Sequence, residues 1–202
     1  MAHPIFKLFK KAFYINLDER KDRRVYIEEQ LDKIGLEAER LGDVKSSISG
    51  FHGCTQSNLT IIKRALNENL GNILIIEDDC VFIDDFNEKC ETVINDMINI
   101  SPRWDLFFFY LYPCCNRNRF KIISPNLRLI QSTLYTHFYG INGNSLVKMI
   151  DLIEKSDEPI DRIYIENDTE IDIIASITNL VSQKPGHSDT VNGFVARTTN
   201  IP

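Results

Sequence analysis

A short apolar run from Ala12 to Leu17 is followed by the polar string Asp18, Glu19, Arg20, Lys21, Asp22, Arg23, Arg24. That order predicts a strand, a loop and a helix. Val25, Leu31 and Ile34 are expected to form the inner helix face, and Gly35 its stop. Leu36 to Leu41 predicts a second strand, and the aperiodic, Ser- and Gly-rich stretch from Gly42 to Gly53 a loop. From Thr55 onward, Leu59, Ile62, Leu66 and Leu70 recur at helical spacing until Gly71 and Asn72 break the pattern. Ile73 to Ile76 is continuously aliphatic, as in a strand buried on both faces of a parallel sheet, and ends abruptly in Glu77, Asp78 and Asp79. Phe86, Cys90, Val93, Ile94 and Met97 predict a further helix closed by Pro102, and Trp104 to Leu111 a further strand.

Strand and helix alternate through this half, so the expected class is α/β, an open, mostly parallel sheet flanked by helices. The second half is less regular. Leu127 to Ile141 is β-prone, Asn144 to Lys155 predicts a helix with Leu146, Met149, Ile150 and Ile153 inward, and Asp168 to Ile177 predicts another. No repeat or linker divides the 202 residues, which implies one domain, 1–202.

Composition narrows the classes. Apolar residues at 43% and charged residues at 26% are a globular balance. A net charge of −6 without a long Lys/Arg block argues against nucleic acid as a partner. It does not exclude a phosphorylated metabolite, because a metal ion or local arginines can reverse the potential at one site. Five cysteines without a C-x-x-C pair suggest reduced, mostly buried thiols. The first residues lack the apolar stretch of a signal peptide, and no run approaches the ~20 apolar residues that span a bilayer, so a soluble, cytoplasmic protein is expected.

The three acids after Ile76 carry the strongest chemical signal, because ligands of open α/β sheets bind outside the carboxyl ends of strands. Adjacent carboxylates repel one another unless a cation neutralises them, and an oxygen-liking Mn2+ or Mg2+ suits Asp78 and Asp79. The alternative is a solvated acidic turn leading into a helix N-terminus, where acids are favoured. Arg20, Arg23 and Arg24 sit where cations oppose a helix dipole. A bound diphosphate would turn that conflict into a binding site, although a solvated charge run reads equally well. Trp104 and Phe107 to Phe109 read as core, with Asp105 the group there expected to face a ligand.

Three blocks resemble the family-25 glycosyltransferases, which include lipooligosaccharide and collagen galactosyltransferases. The first runs from Tyr14 to Arg24, similar to an opening Asn-Leu-Asp-x-Arg-x-x-Arg segment. The second joins Gly53, Cys54, Thr55, Gln56, Ser57 and Asn58, through the following helix, to the acids ending at Asp79, with Asn58 where the family usually has His. The third comprises Thr136 to Gly140, Pro159 to Asp161, Gln183, Ser188 and Asp189.

The resemblance implies a GT-A-like fold, a UDP-sugar donor, a divalent ion bridging the diphosphate to the acids, and a glycan or hydroxylated-protein acceptor. It places the donor on residues 1–111, against Asn16, Leu17, Arg20, Arg23, Arg24, Ser57, Asn58, Lys63, Glu77 and Asp78, and the acceptor on 112–202. It implies Asp78 and Asp79 as metal ligands, with His187, in a loop-like stretch, either completing the metal shell or lying on the surface. Asp161, Asp168, Glu170 and Asp172 are available as general base, with Asp161 favoured because it falls in a matching block and Asp172 as a second carboxylate, although a solvated loop reads equally well for each. Two other classes fit the same acids: an inactive transferase relative that binds without turnover, and a metal-dependent phosphohydrolase.

Overall fold

The computed structural model describes residues 2–42, 49–112, 120–131, 133–188 and 193–195. Its strands are β1 (Lys11–Ile15), β2 (Glu39–Leu41), β3 (Ile73–Glu77), β4 (Cys80–Phe82), β5 (Leu106–Phe108), β6 (Phe120–Ile122), β7 (Leu127–Ile130), β8 (Phe138–Ile141), β9 (Ile173–Ser176), β10 (Val181–Gln183), β11 (Gly186–Ser188) and β12 (Gly193–Val195). Its helices are α1 (Lys21–Ile34), α2 (Gly50–Asn67), α3 (Phe86–Ile100), α4 (Leu146–Glu154) and α5 (Ile160–Glu166).

One eight-stranded sheet has the order β2-β1-β3-β8-β5-β9-β7-β6. β1 pairs in parallel with β2 and β3, and β5 in parallel with β9, whereas β8 and β7 run antiparallel to their neighbours. All strands but those two therefore point one way, and the expected α/β class with an open, mostly parallel sheet holds. The register Ile15↔Glu77 brings the carboxyl ends of β1 and β3 side by side.

Side-chain alternation along the strands sorts the helices onto two faces. Phe138 meets Phe82, Phe86 and Phe109 on the α3 face, while its neighbour Tyr139 stacks on Phe108 and reaches Asn58 of α2 and Tyr164 of α5 on the other. The same alternation in β1 turns Tyr14 toward Glu28 of α1 and Phe13 toward Arg64 of α2. Helices α1 and α3 thus share one layer, joined by Asn87 donating to the Ile34 carbonyl, and α2, α4 and α5 pack together in the other. Gly140 lets β8 lie under Phe9, since a Cβ there would fall 2.2 Å from the ring.

Several elements differ from the sequence expectation. Val25 is exposed, and the buried stripe of α1 is Ile27, Leu31 and Ile34, which keeps true i, i+4, i+7 spacing. Helix α2 begins at Gly50 under a Ser49 cap that accepts from the His52 N–H, well before Thr55, and Leu66 is exposed. The segment expected as a helix from Asp168 contains β9, whose four residues are all buried and paired on both edges. A short buried apolar run does not reveal its period, so helix and strand are indistinguishable there. Helix α5 was not anticipated.

Candidate functional site

Beyond β1 and β3 the chain turns sharply on both strands. The Arg20 N–H donates to the Leu17 carbonyl at 3.0 Å, closing the turn that starts α1, and β3 leads through Asp78 and Asp79 into β4. Strand β4 pairs with β10, and the Lys184 N–H that follows β10 donates to the Asp79 carbonyl at 2.7 Å. These three segments enclose a cleft of about 340 Å3 whose walls include Arg20, Arg23, Tyr26, Asp78, Asp79 and Lys184.

Asp78 is the cleft's buried centre, 7% exposed. Its Oδ1 accepts from Arg23 Nη1 at 2.8 Å and its Oδ2 from Asn16 Nδ2 at 2.8 Å. Arg23 also lies 3.8 Å from Asp79. Burial works against the Arg23 charge, but Asp78 and then Asp79 more than offset it and raise the pKa. Arg20 is held by a two-pronged contact to Asp22, at 3.0 and 2.9 Å, which holds the Asp22 carboxyl down at about 2. The Lys184 ammonium sits 3.7 Å from the centre of the Tyr26 ring, a cation–π contact that fixes a long side chain at the rim.

Glu77 turns the other way. Its carboxylate accepts from Thr136 Oγ1 at 3.0 Å and lies 3.5 Å from Gln183 Nε2. Burial, with Asp79, Asp78 and Asp161 adding repulsion, pushes its pKa up to about 8. Asp161 opens α5 beside it and accepts weakly from the Tyr135 N–H at 3.4 Å and from the Arg162 N–H at 2.9 Å. Tyr135 is in the left-handed region, φ 66°, and its carbonyl accepts from Tyr110 Oη at 2.6 Å. Thus Asp161 reaches the same sheet edge as Asp78 and Asp79, by way of the loop entering β8.

The other expected site residues are dispersed. Asn16 is 1% exposed and acts on Asp78 and on the Arg20 carbonyl rather than toward the cleft. Leu17 forms the turn. Arg24 points along α1 to Glu28, 2.9 Å away. Ser57, Asn58 and Lys63 belong to α2 in the opposite layer. There Ser57 donates to the Gly53 carbonyl, Asn58 accepts from Tyr139 Oη, and Lys63 pairs with Glu154 of α4 at 2.6 Å. Asp172 lies before β9 at the opposite sheet edge, paired with Arg103 at 2.8 Å. Asp105, expected to face a ligand, is buried beside it and holds Lys148 at 2.7 Å, Ser145 at 2.5 Å and the Asp172 N–H at 2.8 Å. His187 falls in β11, and its side chain lies outside the described residues, as do Asp189, Cys114 and Cys115. Lys184 and Tyr26 were missed, because a lone Lys before Pro185 and an isolated Tyr in a charged helix carry no periodic signal.

The described side chains do not gather into a shell for the expected Mn2+ or Mg2+. Such an ion needs several carboxylate or carbonyl oxygens turned toward it. Here Asp78 gives both oxygens to Arg23 and Asn16, and Glu77 is directed to Thr136 on the far side of β3. Among the described residues no three His, Cys, Asp or Glu side chains are gathered as a metal shell. No helix there is long and apolar enough to cross a membrane.

The chain matches no protein-family model and no curated protein sequence. Solved structures similar to it include a mannose-1-phosphate geranyltransferase from Thermus thermophilus, at 9% identity and TM-score 0.49, covering 90% of this chain and 63% of that one. A UDP-glucose pyrophosphorylase complexed with UDP-glucose aligns at 9% identity and TM-score 0.49, over 86% of this chain and 74% of the other. A glycosyltransferase involved in glycosylation of the major capsid of PBCV-1 aligns at 13% identity and TM-score 0.45, over 73% and 68% respectively. Likenesses this distant leave the chemistry of the cleft to its own side chains.

Proposed function

We propose that the chain is a GT-A-like glycosyltransferase that moves a hexose, glucose or galactose, from a UDP-sugar to a hydroxyl of a glycan or hydroxylated protein. The observation that supports this reading is the cleft itself. Arg20 at the N-cap of α1, Arg23 within it and Lys184 from the segment after β10 meet at the carboxyl ends of β1 and β3, where open α/β sheets bind ligands.

In this reading the diphosphate of the donor sits against those cations. As the sugar–phosphate bond breaks, negative charge builds on the leaving phosphate, and fixed guanidinium and ammonium groups stabilise it without any proton transfer. The acceptor hydroxyl loses its proton to a carboxylate, and Asp161, carried to this edge by α5, is the proposed base.

The test is UDP release from UDP-glucose and UDP-galactose with and without a panel of glycan and hydroxylysine acceptors. Slow release in water and faster release with an acceptor is expected. Asp161→Asn should lower turnover by about 10²–10⁴-fold while UDP affinity stays nearly constant. Hydrolysis of simple phosphate esters without an acceptor would instead assign a phosphohydrolase, and UDP binding without turnover an inactive relative.

A further inference from the structure

We infer that Arg23 stands where a divalent cation would otherwise bridge the acids to the diphosphate, so that this cleft binds a nucleoside diphosphate without metal. The inference deepens the donor-site reading above and rests on it. It comes from the order of the charges. Asp78 is buried at the floor, Arg23 lies on it at 2.8 Å with its side chain 19% exposed, and the cleft opens beyond. A guanidinium carries five N–H donors in a planar fork, so a carboxylate can occupy one edge while the group presents charge to a second anion.

The clamp is built, since both Asp78 oxygens are engaged and Asn16, which holds one of them, is itself fixed by Arg40 Nε at 3.3 Å. Arg40 in turn bonds the Asn16 carbonyl at 3.1 Å and Asp18. A Mn2+ ion entering here would have to displace a guanidinium from its buried carboxylate and then sit beside that positive charge. Breaking a buried ion pair is costly, and like charges a few ångströms apart repel. Arg20 and Lys184 complete the cationic side, each held in place, by Asp22 and by the Tyr26 ring. Asp22 also lines the cleft, but its side chain is 67% exposed, so its charge is better screened than that of the buried Asp78.

Binding of UDP and of inorganic pyrophosphate would be measured calorimetrically on the whole protein, once in EDTA and once in excess Mn2+. Affinities within about threefold of each other are expected. Arg23→Ala should weaken both ligands by about 10–100-fold in EDTA, the usual loss for a charge-assisted contact. It should also make binding depend on Mn2+, because Asp78 and Asp79 are then released to hold a metal. Lys184→Ala, which leaves the Arg23–Asp78 pair in place, should weaken UDP in both media without creating metal dependence, and it serves if Arg23→Ala does not fold. UDP binding to the parent protein only with Mn2+ overturns the inference and leaves the donor site standing. Binding in neither medium overturns both.

Discussion

Two buried aspartates show how one residue type serves opposite ends of this sheet. Asp78 positions a cation at a cleft, whereas Asp105 ties Lys148, Ser145 and the Asp172 N–H together at the start of β9. Burial alone would raise the Asp105 carboxyl, but Lys148, Ser145 and Asp172 hold it below the usual range. Asp105→Asn should therefore cost about 1.5–3 kcal/mol at neutral pH, the worth of hydrogen bonds to a charged group. A carboxyl whose pKa is depressed on folding stabilises above its unfolded value and loses that contribution as pH falls through the folded one. Melting curves of parent and variant should thus converge below about pH 4, and a constant gap down to pH 2 would place the effect in packing. Gly140 gives a second test at this scale. Gly140→Ala drives a methyl into the Phe9 ring and should destabilise by about 1–3 kcal/mol, with part of the loss recovered by adding Phe9→Leu. Strict additivity of the two changes would contradict that contact.

At the scale of elements, α1 presents its arginines to different surroundings. Arg23 enters the cleft while Arg24, one residue on and about 100° around the helix, pairs with Glu28 outside it. Arg24→Ala is expected to leave UDP affinity within about twofold of the parent, since a surface i, i+4 pair contributes little. A loss as large as that of Arg23→Ala would mean that α1 is rotated in the bound state. Much of this layout could be read from the sequence. Ile73 to Ile76 running into three acids gave β3 and the carboxylates at its end, and the Phe86, Cys90, Val93, Ile94, Met97 stripe gave α3. The role of α2 was not legible, because a matching block of residues says nothing about which face of a sheet its helix covers. Phe13 and Tyr14 decide that by alternation, and only in three dimensions. The same limit hid the separation of Asp161 from Asp172. They are close in sequence, but β9 carries Asp172 to the far edge.

For the molecule as a whole, the decisive element is β8, which comes from the later half of the chain yet lies between β3 and β5 of the earlier half. A fragment of residues 1–111 is accordingly expected to show no cooperative unfolding transition, by circular dichroism or calorimetry, because β3 and β5 would each lack the strand between them. A sharp melt from that fragment would refute the dependence. The inserted strand also bears on how the chain is born. During synthesis β3 and β5 emerge with bare hydrogen-bonding edges flanked by Ile75, Ile76, Phe107 and Phe108, and both wait for Phe138 to Ile141. At ordinary ribosomal rates the wait from Phe108 to Phe138 lasts about 2–6 s, ample time for an apolar strand to find a neighbouring chain. Yield from cells should then be governed less by the stability of the finished fold than by holdase chaperones and by how quickly the ribosome crosses that stretch.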